Sequence, residues 1–130
     1  AAREMLQILQ TGGTLGILVD LNTLDREGIF VDFFDVQAST TFVLAKLALR
    51  TEAAVLPVFA PWDQQRRRFL LKIDEPLCFK RSSNDEEDVR GLTQLFTNVV
   101  EKYIRRYPEQ WLWIHRRWKT RPPGEPDIYD

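Results

Sequence analysis

One cysteine, one histidine and one methionine in 130 residues leave little for redox, metal or nucleophilic chemistry. Cys78 alone can form neither an internal disulfide nor a thiolate cluster, which is compatible with a reducing compartment, and burial is its ordinary expectation. No apolar run approaches the roughly 20 residues of a membrane-spanning helix, and the opening AAREMLQILQ has no signal-peptide layout. The formal charge of −1 excludes a globally basic nucleic-acid binder. Gly12, Gly13 and Gly16 lack the spacing of a phosphate-cradling loop or a dinucleotide fingerprint. No serine occupies a nucleophile elbow, and no histidine or cysteine stands at ligand spacing from Asp32, Asp35, Asp63 or the acids of residues 85–88. Neither a metal nor a cofactor is expected, and there is no internal repeat or low-complexity linker.

What is present concentrates at one end. Residues 111–122, WLWIHRRWKTRP, hold three of the four tryptophans, the only histidine and four cations, Arg116, Arg117, Lys119 and Arg121. Two physical readings stand side by side. The rings of Trp111, Trp113 and Trp118 can bury themselves under the aliphatic stems of the cations, or the cations can hold phosphate or carboxylate groups beside an aromatic wall or membrane-interface anchor. His115 is the only imidazole available as a base, but no acid neighbours it in sequence.

Periodicity predicts a mixed α/β domain, a partial sheet flanked by helices. Met5, Leu6, Ile8 and Leu9 share a helical face that Gly12-Gly13 ends. TLGILV, residues 14–19, reads as a buried parallel strand ending at Asp20, the carboxyl end where ligands bind in open α/β sheets. Residues 21–38 read as a loop with an extended segment and a turn at 25–28, and Ser39, Thr40 and Thr41 as hydroxyl N-caps of a helix over FVLAKLALR. AAVLPVFA, residues 53–60, reads as a second buried strand completing a βαβ-like unit. After a turn at Pro61-Trp62-Asp63, residues 66–74 continue as an antiparallel strand with Arg66, Arg67 and Arg68 in solvent. Asn84 with Glu87 has capping-box spacing, and Val89, Leu92, Phe96, Val99 and Tyr103 then follow on one helical face until Pro108. RPPGEPDIYD reads as an irregular tail.

The order of these pieces resembles the lipid A biosynthesis acyltransferases, the lauroyl/myristoyl branch of the lysophospholipid acyltransferase superfamily. The likeness lies in GGTLGILVD with Asn22, GIFVDFFDVQASTTFVLAKLALRT, EAAVLPVFAPW and, most specifically, PEQWLWIHRRWKTRPPGEP. It spans almost the whole chain. Asp35 stands where that family usually has glycine, Gln37 where proline is common, and Trp62-Asp63 near where an arginine is often found. The family's catalytic histidine belongs to a His-x4-acid motif, whereas His115 is followed five positions later by Thr120.

The resemblance implies that residues 1–130 form the C-terminal part of a single glycerolipid-acyltransferase-like domain, its upstream catalytic half absent and the chain inactive alone. A chain that opens without methionine, directly in a helical pattern, agrees with a piece of something longer. The implied reaction is acyl transfer from acyl-carrier protein or acyl-CoA to a hydroxyl of a phosphorylated glycolipid, a lipid A precursor, in lipopolysaccharide synthesis. The implied place is the cytoplasmic face of the bacterial inner membrane, reached through the missing N-terminal part. Asp20 is the candidate supporting residue, and Arg116, Arg117, Lys119 and Arg121 are the candidate substrate-binding set. Two alternatives remain: an acyltransferase for another glycolipid such as a mannosylated phosphoinositide, or a non-catalytic anion- or nucleic-acid-binding module, against which the net acidity counts.

Overall fold

The computed structural model describes residues 2–129. Helix α1 (Ala2–Gln10) ends as the glycines predict, with Gly13 N–H donating to Ile8 O at 2.8 Å and Gly12 N–H to Leu9 O at 3.1 Å. This double closure places Gly12 at φ 82°, a left-handed position that costs glycine little. After a short 3-10 turn at Asp25–Glu27 come β1 (Gly28–Phe33) and β2 (Val36–Thr41), then α2 (Val43–Thr51). Four two-residue strands follow: β3 (Val58–Phe59), β4 (Trp62–Asp63), β5 (Arg68–Phe69) and β6 (Lys72–Ile73). The chain closes with α3 (Asp85–Arg106), a 3-10 turn at Pro108–Gln110 and an irregular C-terminal segment.

The secondary structure is mixed α/β, but every strand pair is antiparallel: β1 with β2, β3 with β6 and β4 with β5. The expected βαβ unit is therefore corrected. Residues 14–19 form no ladder, and of residues 53–60 only Val58–Phe59 does. Both segments do alternate in exposure, with Leu15, Ile17 and Val19 turned inward and Gly16 and Leu18 outward, and likewise Val55, Pro57 and Phe59 against Leu56 and Val58. An apolar run reports burial, whereas a strand also needs a neighbour for its N–H and C=O groups. Among the described residues, no backbone-to-backbone bond joins residues 14–21 to another segment.

Two further expectations change. Residues 28–41 fold into a hairpin rather than a loop, so Ser39, Thr40 and Thr41 lie in β2. The residue capping α2 is Phe42, with no side-chain cap, though Thr41 Oγ1 accepts from Val43 N–H at 3.3 Å. Cys78 is exposed rather than buried. The turn after β4 falls at residues 64–67, with all three arginines in solvent as expected.

Helix α3 is the spine. Asn84 caps it by accepting from the N–H groups of Glu86 and Glu87 at 3.0 and 3.2 Å, and four acids in its first turn favour the positive end of the helix dipole. Its buried row, Leu92, Phe96, Val100 and Ile104, repeats every four residues, flanked by the predicted Val89, Val99 and Tyr103 at half burial. The row splits into two cores. Val100 and Ile104 pack with Phe33 and Ala38 of the hairpin, and Leu92 and Phe96 pack with Ala45 of α2. Gly91 permits the close passage of Phe79, whose ring edge lies 2.9 Å from where a Cβ would sit.

Candidate active site and the C-terminal clasp

The edge of β1 shows how α3 holds the hairpin. Arg90 donates to Phe30 O at 2.8 Å, Gln94 exchanges two 2.8 Å bonds with the Asp32 main chain, and Glu101 accepts from Phe34 N–H at 2.8 Å. Side chains from one helix thus satisfy alternate residues of an edge strand that has no neighbouring strand there. The hairpin tip is tight. Phe34 and Asp35 adopt φ 52° and 60°, the conformation of a two-residue primed turn, which non-glycine residues enter at roughly 1 kcal/mol or more each. Trp118 holds the tip by sharing its Nε1–H between Phe33 O and Val36 O, each at 3.3 Å.

Residues 107–121 pass across this tip and clasp the segment that ends at Asp20. Trp111 Nε1–H donates to Asp20 Oδ2 at 3.1 Å, and Asn22 N–H donates to His115 Nε2 at 2.7 Å. The Asn22 side-chain amide donates to Thr120 Oγ1 and accepts from Thr120 N–H, both at 3.0 Å. Four hydrogen bonds therefore tie residues 20–22 to residues 111–120, two blocks that sequence separates by about 90 positions. His115 is an acceptor in this arrangement. Its Nε2 is engaged by the main chain, so its part here is structural.

Arg117 is the buried centre of the clasp, 1% exposed. It donates to Ser39 O at 2.8 Å and Thr40 Oγ1 at 2.5 Å, with its guanidinium carbon 5.0 Å from the Phe33 ring centroid. Burial pushes its pKa down to about 10, partly offset by the charge of Asp20, so it remains a cation at neutral pH. Among the described residues, three buried polar atoms on this side have no hydrogen-bond partner, Arg117 Nε, Arg121 Nε and Ser39 Oγ. Arg121 also reaches β2, donating to Gln37 O at 2.7 Å and pairing with Glu125. Arg116 and Lys119 are exposed, the former 5.7 Å from the Tyr129 ring centroid. The four cations thus divide, two holding β2 and two facing solvent.

The tryptophans divide as well. Trp111 and Trp118 are half-buried against Phe33, at 5.7 and 5.4 Å between ring centroids, while Trp113 is 50% exposed and lies 6.1 Å from Phe34. Such pairs add about 0.5–1.5 kcal/mol beyond area burial. Beside the clasp, a cavity of about 340 Å³ opens between residues 17–20 and 55–61 with α3 as its floor. Its wall is apolar, including Val19, Val55, Phe59, Phe96 and Val100, and its polar groups include Asp20, Tyr103 and Gln110. Tyr103 stacks on Phe59 at 3.6 Å and donates to Asp74 Oδ1 at 2.7 Å, a bond that pushes its pKa up to about 12. A mostly apolar pocket with a few converging polar groups can seat a chain-like apolar ligand while its polar groups orient a reacting end.

The sequence points to Asp20 and the C-terminal cluster as candidates but not to Ser39 and Thr40 as the seat of Arg117, because hydroxyl residues before an apolar run read as helix caps. The signal was available in FVDFFDVQAST, whose alternation with a two-residue break is hairpin patterning. Among the described residues, no group of three or more His, Cys, Asp or Glu is placed to hold a metal ion, and no helix is long and apolar enough to cross a membrane.

The family model described as bacterial lipid A biosynthesis acyltransferase matches residues 1–120. The chain is 64% identical over 131 aligned positions to the lipid A biosynthesis palmitoleoyltransferase of Escherichia coli (strain K12), covering 98% of this chain and 40% of that protein. It is 32% identical over 128 residues to the lauroyltransferase of the same organism, with the same two coverages, and 30% identical over 100 residues to its myristoyltransferase, covering 77% and 30%. The chain spans at most about 40% of the length of these relatives.

Proposed function

Because the chain belongs to the bacterial lipid A biosynthesis acyltransferase family, we propose that it forms the C-terminal part of an acyltransferase domain that acylates a hydroxyl of a phosphorylated lipid A precursor. The donor is a thioester, acyl-carrier protein or acyl-CoA, and the place is the cytoplasmic face of the inner membrane. The acceptor oxygen forms an ester bond to the acyl carbonyl carbon, the carbon–sulfur bond breaks, and the hydroxyl proton passes through a base to the departing thiolate. That base is a histidine outside this chain, so the chain alone is inactive.

The observation that carries this reading is the position of Asp20. Its carboxylate lines an apolar cavity, held by Trp111 and facing the charge of buried Arg117. In this reading the cavity takes hydrocarbon, and Asp20 positions the acceptor beside the reacting carbonyl. Arg116 and Lys119 attract acceptor phosphate from solvent, while Arg117 and Arg121 brace β2 behind them. Asp20→Asn in the full-length protein tests it with a thioester donor and lipid A precursor. Turnover falls at least tenfold with the melting temperature kept; unchanged turnover in a folded variant removes Asp20 from the mechanism.

A further inference from the structure

Arg66, Arg67 and Arg68 take no part in the clasp or the core, yet they stand close to the cavity mouth. Pro61, one of its lining residues, accepts from Leu70 N–H at 2.9 Å, and Gln110, another, exchanges bonds of 2.6 and 3.1 Å with the Trp62 main chain. The turn above this base is thereby fixed to the rim. At about 3.3 Å per residue, Arg68 lies within roughly 7 Å of Leu70 along the chain and Arg66 within roughly 13 Å. The rim is cationic elsewhere too. Lys72 Nζ of β6 and the Arg106 guanidinium carbon of α3 lie 5.8 and 5.4 Å from the centroid of the Tyr107 ring, which lines the cavity. Of these five cations only Arg66 has a carboxylate partner among the described residues, Asp63 at 2.8 Å.

We infer that this cationic rim docks the acidic face of the acyl-carrier protein that brings the thioester to the cavity. The inference rests on the acyl-transfer reading and adds the surface through which the donor arrives. Unpaired guanidinium groups attract carboxylates during approach and hold them bidentately on contact, which speeds encounter and selects an acidic partner. The chain as a whole has a formal charge of −1, so this concentration of cations is local. Cations on separate elements, the hairpin tip and α3, suit a protein surface better than a small thioester. A bilayer is the poorer fit, because residues 63–68, DQQRRR, bring no apolar side chain to the tip for insertion.

The full-length protein in detergent is assayed with one acyl chain presented on acyl-carrier protein and on coenzyme A, and binding of fluorescent holo-acyl-carrier protein is followed by anisotropy. Wild type binds the carrier, and added sodium chloride weakens the complex. Arg67→Glu/Arg68→Glu, which alters exposed side chains and keeps the melting temperature, weakens carrier binding and raises the KM for the carrier-bound donor by about tenfold or more. The KM for acyl-CoA and both kcat values stay within about twofold. Arg106→Glu, on the α3 side of the rim, weakens carrier binding in the same direction. Carrier affinity that charge reversal leaves unchanged overturns the inference while the acyl-transfer reading stands. An equal rise in both KM values assigns the arginines to the phosphate of the thiol arm common to the two donors, and lost binding to phosphatidylglycerol vesicles with carrier binding kept assigns them to a bilayer; either result also overturns it. Carrier binding that the reversal abolishes, in a protein that transfers no acyl group to a lipid A precursor, overturns the acyl-transfer reading instead and leaves the docking surface assigned.

Discussion

Replacing Arg117 tests whether the C-terminal cluster is a brace or an anion site. The guanidinium makes two hydrogen bonds to β2 and lies over Phe33 at 1% exposure. Hydrogen bonds from a charged donor contribute about 1.5–3 kcal/mol each, and the cation–π contact about 1–2 kcal/mol more in a desolvated setting. Opposing them is the burial that lowers the pKa from 12.5 to about 10, a penalty of roughly 3 kcal/mol. The net loss for Arg117→Ala is therefore about 1–5 kcal/mol, to which the void left by the stem adds. Arg117→Lys keeps the charge but presents a single ammonium where two separate acceptors wait, so it costs about 1–3 kcal/mol. Urea unfolding of the chain followed by tryptophan fluorescence measures both, and titration with inorganic pyrophosphate measures anion affinity. The brace predicts destabilised variants and unaltered pyrophosphate affinity. An Arg117→Lys variant within 0.5 kcal/mol of wild type, or a tenfold loss of pyrophosphate affinity in a stable variant, refutes it.

Two other sites make separable predictions. Asn84→Ala removes the acceptor for two N–H groups at the start of α3 and lowers stability by about 1 kcal/mol in the same urea assay, whereas Asn84→Asp retains most of it. Tyr103 has a folded pKa raised to about 12 by its bond to Asp74, so its contribution is complete below pH 10 and disappears as pH rises toward 12. Thermal melts from pH 9 to pH 12 show a decline in wild type that is shallower in Tyr103→Phe; parallel curves refute the linkage.

Legibility from sequence followed the range of the interaction. The end of α1 and the capped α3 were readable because their determinants lie within a few residues, Gly12-Gly13 in one case and Asn84 with its acidic turn in the other. The strand expectation fails at 14–19 and over most of 53–60 because apolar content says that a segment is buried, not which backbone it bonds to. The hairpin at 28–41 is legible in its alternation but not in its turn residues. Phe34 and Asp35 occupy left-handed positions that usually advertise themselves with Asn-Gly, and here ring contacts and the Trp118 indole hold the turn instead. A glycine at position 35 would enter that conformation without the penalty Asp35 incurs.

The clasp gives a physical reason for two distant blocks to occur together. Asp20 and Asn22 are separated by one residue, and their partners, Trp111 for the first and His115 and Thr120 for the second, all lie in the C-terminal segment. Asn22 both donates and accepts with Thr120, which an aspartate could not reproduce because an ionised carboxylate has no proton to give. His115 presents Nε2 as an acceptor, which fixes the proton of the neutral ring on Nδ1. A histidine with that nitrogen bonded to the main chain is poorly suited to shuttle a proton from a substrate hydroxyl. Trp111, His115 and Thr120 of the C-terminal cluster therefore act as a fastening, and Asp20 is the residue through which that fastening reaches the cavity.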